Sequence, residues 1–280
     1  MPARRGLVPL SAVVALLAAC ASPTPSGSWT DGPPVVDPSA APSSTGPVAT
    51  FTACGREAPA ASSTNLRPSA LTDADRAAVA GWAGGPVPDG RLVLEHAAAL
   101  PLPAGLLGFG NGYEASTGAL RDDVLRELAP AGTTADVTLA VLDSPSVGRR
   151  VAFVEVHLAD GTPVRWREEP ALGFGTDGGD GGVYAPAYRG APAASDDAAF
   201  DAIEAVFPDG DASAGHVCAV RSTENGVDAV VFSAGYGDGG YPTFLGYDAD
   251  DEVVSAVSYG FVLPWALSGL PGTPPSDADL

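Results

Sequence analysis

Glycine and proline fill 62 of the 280 positions, and they fall between short runs of apolar and β-branched residues. Long helices do not survive such interruption, whereas short strands joined by turns do. Strand patterns cover residues 136–142, 150–158, 164–167, 216–221, 228–232, 243–247 and 253–258, with a shorter one at 91–95. Asp160-Gly161 reads as a hairpin turn joining 150–158 to 164–167. Glu224-Asn225-Gly226 and Asp248-Ala249-Asp250-Asp251 give two further hairpins. Three helices fit the remaining patterns. The first runs from Thr72 to about Trp82, with Asp73 and Asp75 in its first turn. The second spans 117–128, with Leu120, Val124 and Leu128 on one face. The third follows Ser195, with Phe200, Ile203 and Phe207 on one face and Pro208-Asp209-Gly210 as its stop. The expected fold class is therefore α+β: a mainly antiparallel β-sheet core with about three peripheral helices, in one domain over residues 52–270.

The first residues read as an address. Arg4 and Arg5 precede an apolar run, 7–19, which is too short to span a bilayer at roughly 20 residues. The run ends Leu17-Ala18-Ala19-Cys20, which resembles the bacterial lipobox. The resemblance implies that 1–19 is a lipoprotein signal peptide and that Cys20 carries the lipid. The chain would then be held to the cell membrane on its extracytoplasmic face. Of residues 21–50, 24 are Pro, Ser, Ala, Thr or Gly, so 20–51 is expected to be a disordered tether. The polar, proline-containing stretch 271–280 is expected to be a disordered tail. With Cys20 lipidated, Cys54 and Cys218 remain as an even pair in an oxidising compartment, which predicts a disulfide.

The charge balance excludes some partners. There are 34 acidic residues against 14 basic ones, all arginine. Phosphate backbones and anionic lipid surfaces need clustered Lys and Arg, so neither nucleic acid nor polybasic membrane attachment is expected. The exception is local: Arg149, Arg150, Arg165 and Arg167 crowd one expected hairpin. They either pair internally with acidic neighbours or form a small anion-binding spot, and internal pairing is the favoured reading.

Two glycine-aspartate loops stand out, 173–182 (GFGTDGGDGG) and 233–242 (SAGYGDGGYP). Glycine allows positive φ and close approach to a ligand, and aspartate at such bends can bind a cation or transfer a proton. Aspartate can equally cap its own turn. Familiar templates fail. Gly108-Phe109-Gly110-Asn111-Gly112 lacks the βαβ context of a dinucleotide loop, and Val231 breaks a nucleophile elbow at Ser233. Residues 248–253 lack the EF-hand glycine, and His96, His157 and His216 have no zinc spacing. His157 shares an expected strand face with Val151, Phe153 and Glu155. No cofactor and no metal are expected.

The stretch Phe232-Ser233-Ala234-Gly235-Tyr236-Gly237-Asp238-Gly239-Gly240-Tyr241-Pro242, continuing through Gly246-Tyr247-Asp248, resembles the signature of DUF4241, a bacterial domain family of unknown function. The family pattern is roughly F-S-G-W-G-D-G-x-Y-P-x-Y-W-G-x-D. Here Ala234 is inserted, Tyr236 replaces the tryptophan, and Phe244-Leu245 replaces Tyr-Trp. Arg150-Val151-Ala152, Val164-Arg165-Trp166 and Gly173–Gly179 resemble further family segments, and Pro88–Val93 does so more weakly. The resemblance implies a domain over most of 88–263 but no activity. The candidate ligand-binding residues are Asp177, Asp180, Asp238, Tyr236, Tyr241, Arg150, Arg165 and Trp166. Two functions remain open. One is a surface-anchored binding module for an envelope protein or glycan. The other is a hydrolase acting on envelope carbohydrate with two of Asp177, Asp180 and Asp238, which would need about 5–9.5 Å between carboxylates.

Overall fold

The computed structural model describes residues 49–54, 62–118, 120–187 and 216–276. Its strands are β1 (Thr50–Ala53), β2 (Ser69–Leu71), β3 (Gly90–Leu102), β4 (Leu106–Asn111), β5 (Arg126–Glu127), β6 (Thr133–Ser144), β7 (Gly148–His157), β8 (Arg165–Glu168), β9 (Phe174–Thr176), β10 (Asp180–Tyr184), β11 (Cys218–Thr223), β12 (Gly226–Ser233), β13 (Gly239–Tyr241), β14 (Thr243–Tyr247) and β15 (Val253–Tyr259). They form a seven-stranded sheet, β2-β3-β6-β7-β15-β14-β8, a six-stranded sheet, β1-β11-β12-β10-β4-β5, and a two-stranded ribbon, β13-β9. Every pairing between these strands is antiparallel.

The two large sheets bury one apolar interior. Val137, Leu139, Val154 and Val156 of the seven-stranded sheet share a core with Phe109, Val183, Val230 and Phe232 of the six-stranded sheet. The other face of the seven-stranded sheet is also covered. There Phe153, Trp166, Phe244 and Tyr259 pack with Leu66, Val262 and Trp265. Because both faces are buried, β6 and β7 read as nearly continuous apolar runs rather than strict alternation. A bulge adds Ala152 to β7, so Val141 pairs with Val151 while Ala140 pairs with Phe153. Val151 therefore turns to the inner core while Phe153 faces outward, which separates Val151 from the face it was expected to share with His157.

Several expectations hold. β11 pairs with β12 and β14 with β15. Cys54 and Cys218 form a disulfide, fastening the end of β1 to the start of β11. Others are corrected. Two α-helices stand among the described residues, not about three. The first, α1 (Asp73–Ala78), has the Thr72–Asp75 capping box but buries no residue, so nothing holds it beyond six residues. The second is not at 117–128. α2 (Gly112–Thr117) ends there, at a left-handed Gly118. Leu120 and Leu125 instead leave the helix path to cover Tyr184 and Ala229. The helix expected after Ser195 lies outside the described residues.

The strand expected at 91–95 runs for 13 residues. β2 covers it only at Gly90–Leu92, so its far end is a sheet edge, where Pro101 needs no inward hydrogen bond. The expected hairpin between 150–158 and 164–167 does not form. The β14–β15 pair lies between these strands, and Asp160-Gly161 wraps past Val254 instead of reversing tightly. Residue 271 begins no loose tail, because Pro271 O accepts from Trp166 Nε1 at 2.8 Å and Thr273 bridges to Arg165. Among the described residues no helix is long and apolar enough to cross a membrane.

One buried carboxylate anchors the segment before β2. Glu155, on the outer face of β7, is fully buried. It accepts from the Thr64 hydroxyl, the Asn65 and Leu66 amides, Asn65 Nδ2 and the Ser255 hydroxyl. Burial by itself raises a carboxyl pKa. Here the imidazole of His157 beside it and the hydrogen bonds from Thr64, Ser255 and Asn65 outweigh burial and hold it below the ordinary 4.5. A depressed carboxyl pKa contributes stability that is present above the unfolded value and lost as pH falls through the folded value. Glu155→Gln places an amide donor among donors and should lower unfolding free energy at pH 7 by about 3–5 kcal/mol. It should also flatten the loss of stability below pH 4.5 in urea titrations. Reducing the disulfide should lower the same free energy by about 2–5 kcal/mol.

Candidate functional site

Among the described residues the chain changes sheets at two places after β8, and these are the two glycine-aspartate loops. It leaves the seven-stranded sheet at β8, passes through β9 and enters the six-stranded sheet at β10. It returns from β12 through β13 to β14. The loops lie side by side. Gly239 pairs with Thr176 and Tyr241 with Phe174, and Asp180 pairs with Ser233. Ala234 N donates to Gly179 O at 2.9 Å.

Crossing between sheets within a few residues requires backbone that bends sharply and packs closely. Gly235 has φ of +44°, and a Cβ there would lie 2.2 Å from Gly260 O. The buried Tyr241 braces this corner: its hydroxyl donates to Ala234 O at 2.9 Å and Gly237 O at 2.5 Å. Burial raises its phenol pKa, which keeps it a donor. Tyr241 is thus a strut of the loop.

The three aspartates do different work. Asp180 Oδ1 accepts from the Thr176 hydroxyl at 2.9 Å, and the same hydroxyl accepts from the amides of Gly178 and Asp180. Its Oδ2 sits against Gly112 at the start of α2, where a Cβ would be 2.3 Å away. Asp180 therefore clasps its own turn, as one of the two sequence readings allowed. Asp177 and Asp238 are exposed. Asp177 borders a shallow depression with Gly175, Thr176 and Gly239. Tyr236, 52 % exposed, projects from the second loop with the Arg150 guanidinium 5.8 Å from its ring centre. Burial raises the Tyr236 phenol pKa, and Arg150 partly counters it. The structure thus assembles Asp177, Asp238, Tyr236 and Arg150 around the crossing, with Asp180 and Tyr241 beneath.

Arg165 and Trp166 belong elsewhere. Trp166 is buried against Trp265, with ring centres 5.3 Å apart, in the outer aromatic cluster. Arg165 pairs with Asp251, and it and Arg167 lie over the Tyr247 ring. Arg149 pairs with Glu95. Strands β15 and β14 separate Arg149 and Arg150 from Arg165 and Arg167, so the four arginines form no common anion spot. Among the described residues no group of three or more His, Cys, Asp or Glu side chains converges to hold a metal ion.

Sequence reasoning missed a polar cluster on the outer face. Beside Glu155 lie His157 and Asp136, and His96 Nε2 is 3.0 Å from Asp136 Oδ1. Its members come from three strands and from 62–66, so no local motif announces it. The alternation of Phe153, Glu155 and His157 along β7 was the signal available.

Tyr241→Phe should destabilise the domain by about 1–2 kcal/mol, since the hydroxyl hydrogen shared by Ala234 O and Gly237 O is lost, although Ala234 O keeps the Gly237 amide. Tyr236→Ala should leave the melting midpoint nearly unchanged; differential scanning calorimetry separates the two.

No curated protein and no solved structure matches the chain. Residues 118–258, half of its length, match the family described as protein of unknown function (DUF4241). The match runs from the cap of α2 through β15 and takes in both sheet crossings, while the weakly similar 88–93 falls outside it. This chain belongs to the DUF4241 family.

Proposed function

We propose that this protein is a lipid-anchored lipoprotein of the extracytoplasmic face of a bacterial cell membrane. Its folded domain serves as a binding module for a protein or glycan of the envelope. The observation that carries the location is the disulfide. It uses both cysteines that follow the leader, as an oxidising compartment allows, and leaves Cys20 at the end of the apolar run. Residues 21–48 would lift the domain off the bilayer; the expected tether is shorter than 20–51, because Ala49 and Phe51 are buried and β1 begins at Thr50.

The binding face is the crossing of the two loops. An exposed aromatic on a rigid base is the kind of residue that anchors an interface at small entropic cost. Tyr236, with the Arg150 guanidinium near its ring and the exposed Asp238 on the same loop, meets that description. The hydrolase reading has less support, because Asp180 is engaged by Thr176, Asp177 borders an open depression that excludes no water, and Asp238 is exposed.

Metabolic labelling with an alkyne palmitate in a bacterial host tests the anchor. The wild-type chain should carry label and sediment with membranes, and Cys20→Ser should lose both. Equal labelling and sedimentation of the variant would refute the anchor. A partner crosslinked by wild type and lost with Tyr236→Ala and Asp238→Ala would locate the binding face; retention in both variants would reject it.

A further inference from the structure

Six arginines among the described residues are at least partly withdrawn from solvent: Arg76, Arg126, Arg149, Arg150, Arg165 and Arg221. Five of them pair with an aspartate or glutamate. Arg150 has no carboxylate partner among the described residues. A guanidinium drawn out of water is ordinarily balanced by an acid. In a chain with 34 acidic residues against 14 basic ones, the one left unbalanced needs a cause.

Arg150 is nevertheless held in place. Its Nε donates to the Val147 carbonyl at 3.3 Å, and its guanidinium carbon lies 5.8 Å from the Tyr236 ring centre. These contacts leave Nη1 and Nη2 without a hydrogen-bond partner among the described residues. The two terminal nitrogens present parallel N–H bonds, a fork that matches a carboxylate bidentately. Tyr236 is fixed independently of Arg150. Gly237 N donates to Ala234 O at 2.8 Å, closing a turn around Tyr236, and the Tyr241 hydroxyl ties the same two carbonyl-bearing residues together.

The fork and the ring select the ligand between them. A neutral group would leave the guanidinium unbalanced, and a cation would be repelled by it. A phosphate dianion would meet the acidic surface, including the exposed Asp238 on the same loop, with twice the charge of a carboxylate. A carboxylate on a short aliphatic stem would satisfy the fork and lay its stem against the half-exposed ring. Aspartate and glutamate side chains have that form. Arginine and tyrosine are also both enriched at the energetic centres of protein interfaces. We infer that Arg150, braced beside Tyr236, receives an aspartate or glutamate side chain of a protein partner. The inference rests on the loop crossing being a binding face, and it names the chemistry of what that face binds.

The test follows the Arg150 Nε–H and Tyr236 ring resonances of the full chain in detergent micelles at low salt. Capped tetraglutamate is the probe, with capped tetraglutamine, trigalacturonate and inorganic phosphate as contrasts. Tetraglutamate should move both signals saturably in the millimolar range, and tetraglutamine should move neither. Arg150→Gln removes the charge, and Arg150→Lys keeps it but loses the fork. Each should weaken binding about threefold or more while the melting midpoint shows that the domain is folded. No movement with tetraglutamate, equal movement with tetraglutamine, a stronger response to trigalacturonate or phosphate, or unchanged affinity in both variants would overturn the inference. Crosslinking in the envelope separates it from the reading on which it rests. A partner lost with both Arg150→Gln and Tyr236→Ala supports the inference. A partner lost with Tyr236→Ala but kept by Arg150→Gln overturns the carboxylate and leaves the binding face standing. A partner kept by both variants overturns both.

Discussion

The apolar contact between the two large sheets is the constraint on which the rest of the molecule depends. Strands of both sheets bury their facing side chains, and the chain must still pass between the sheets. Two such passages lie next to each other, and they use glycine for positive φ at Gly179, Gly235, Gly237 and Gly239 and, at Gly235, because a Cβ would meet the Gly260 carbonyl. The conspicuous glycine-aspartate loops are therefore architectural before they are anything else. Their exposed side chains, Tyr236, Asp177 and Asp238, inherit a rigid base. Function on loops held by a stiff scaffold follows from that arrangement.

The outer face of the seven-stranded sheet is divided by polarity. At one end Phe153, Tyr259, Trp166, Phe244 and Trp265 stack edge to face or in parallel. At the other, Glu155 gathers five donors, and His157 and Asp136 stand at a groove. Residues 62–67 lie over this face, with Leu66 serving the apolar end and Thr64 and Asn65 the polar end. A carboxylate removed from water is tolerable only when its lone pairs are satisfied, so the network rigidifies everything it touches.

Much of the fold was legible because turn chemistry is local. The hairpins at 224–226 and 248–251 formed where Asn-Gly and an Asp-rich bend stood between β-type runs. The capping box at Thr72 and Asp75 likewise needed only residues three apart. The failures share one cause, which is competition from distant partners. Leu120, Val124 and Leu128 have helical spacing, yet Gly118 ends the helix and two of the three leave it to cover Tyr184. Asp160-Gly161 resembles a tight turn, yet β15 and β14 pair into the gap it would have closed.

The same division holds for the candidate sites. Composition, the two loops in sequence and the lipobox resemblance that sets Cys20 aside were enough to specify a β-rich domain, to pair Cys54 with Cys218 and to mark Tyr236 and Asp238 as residues at a tight bend. These follow from backbone freedom and from cysteine parity, properties that a chain carries before it folds. Only the tertiary structure decided that Asp180 and Tyr241 brace the crossing, that Arg165 and Trp166 lie away from it, and that Glu155, His157 and Asp136 meet. Those outcomes depend on which strands become neighbours, and strand order is set by burial of both sheet faces rather than by any local run of residues.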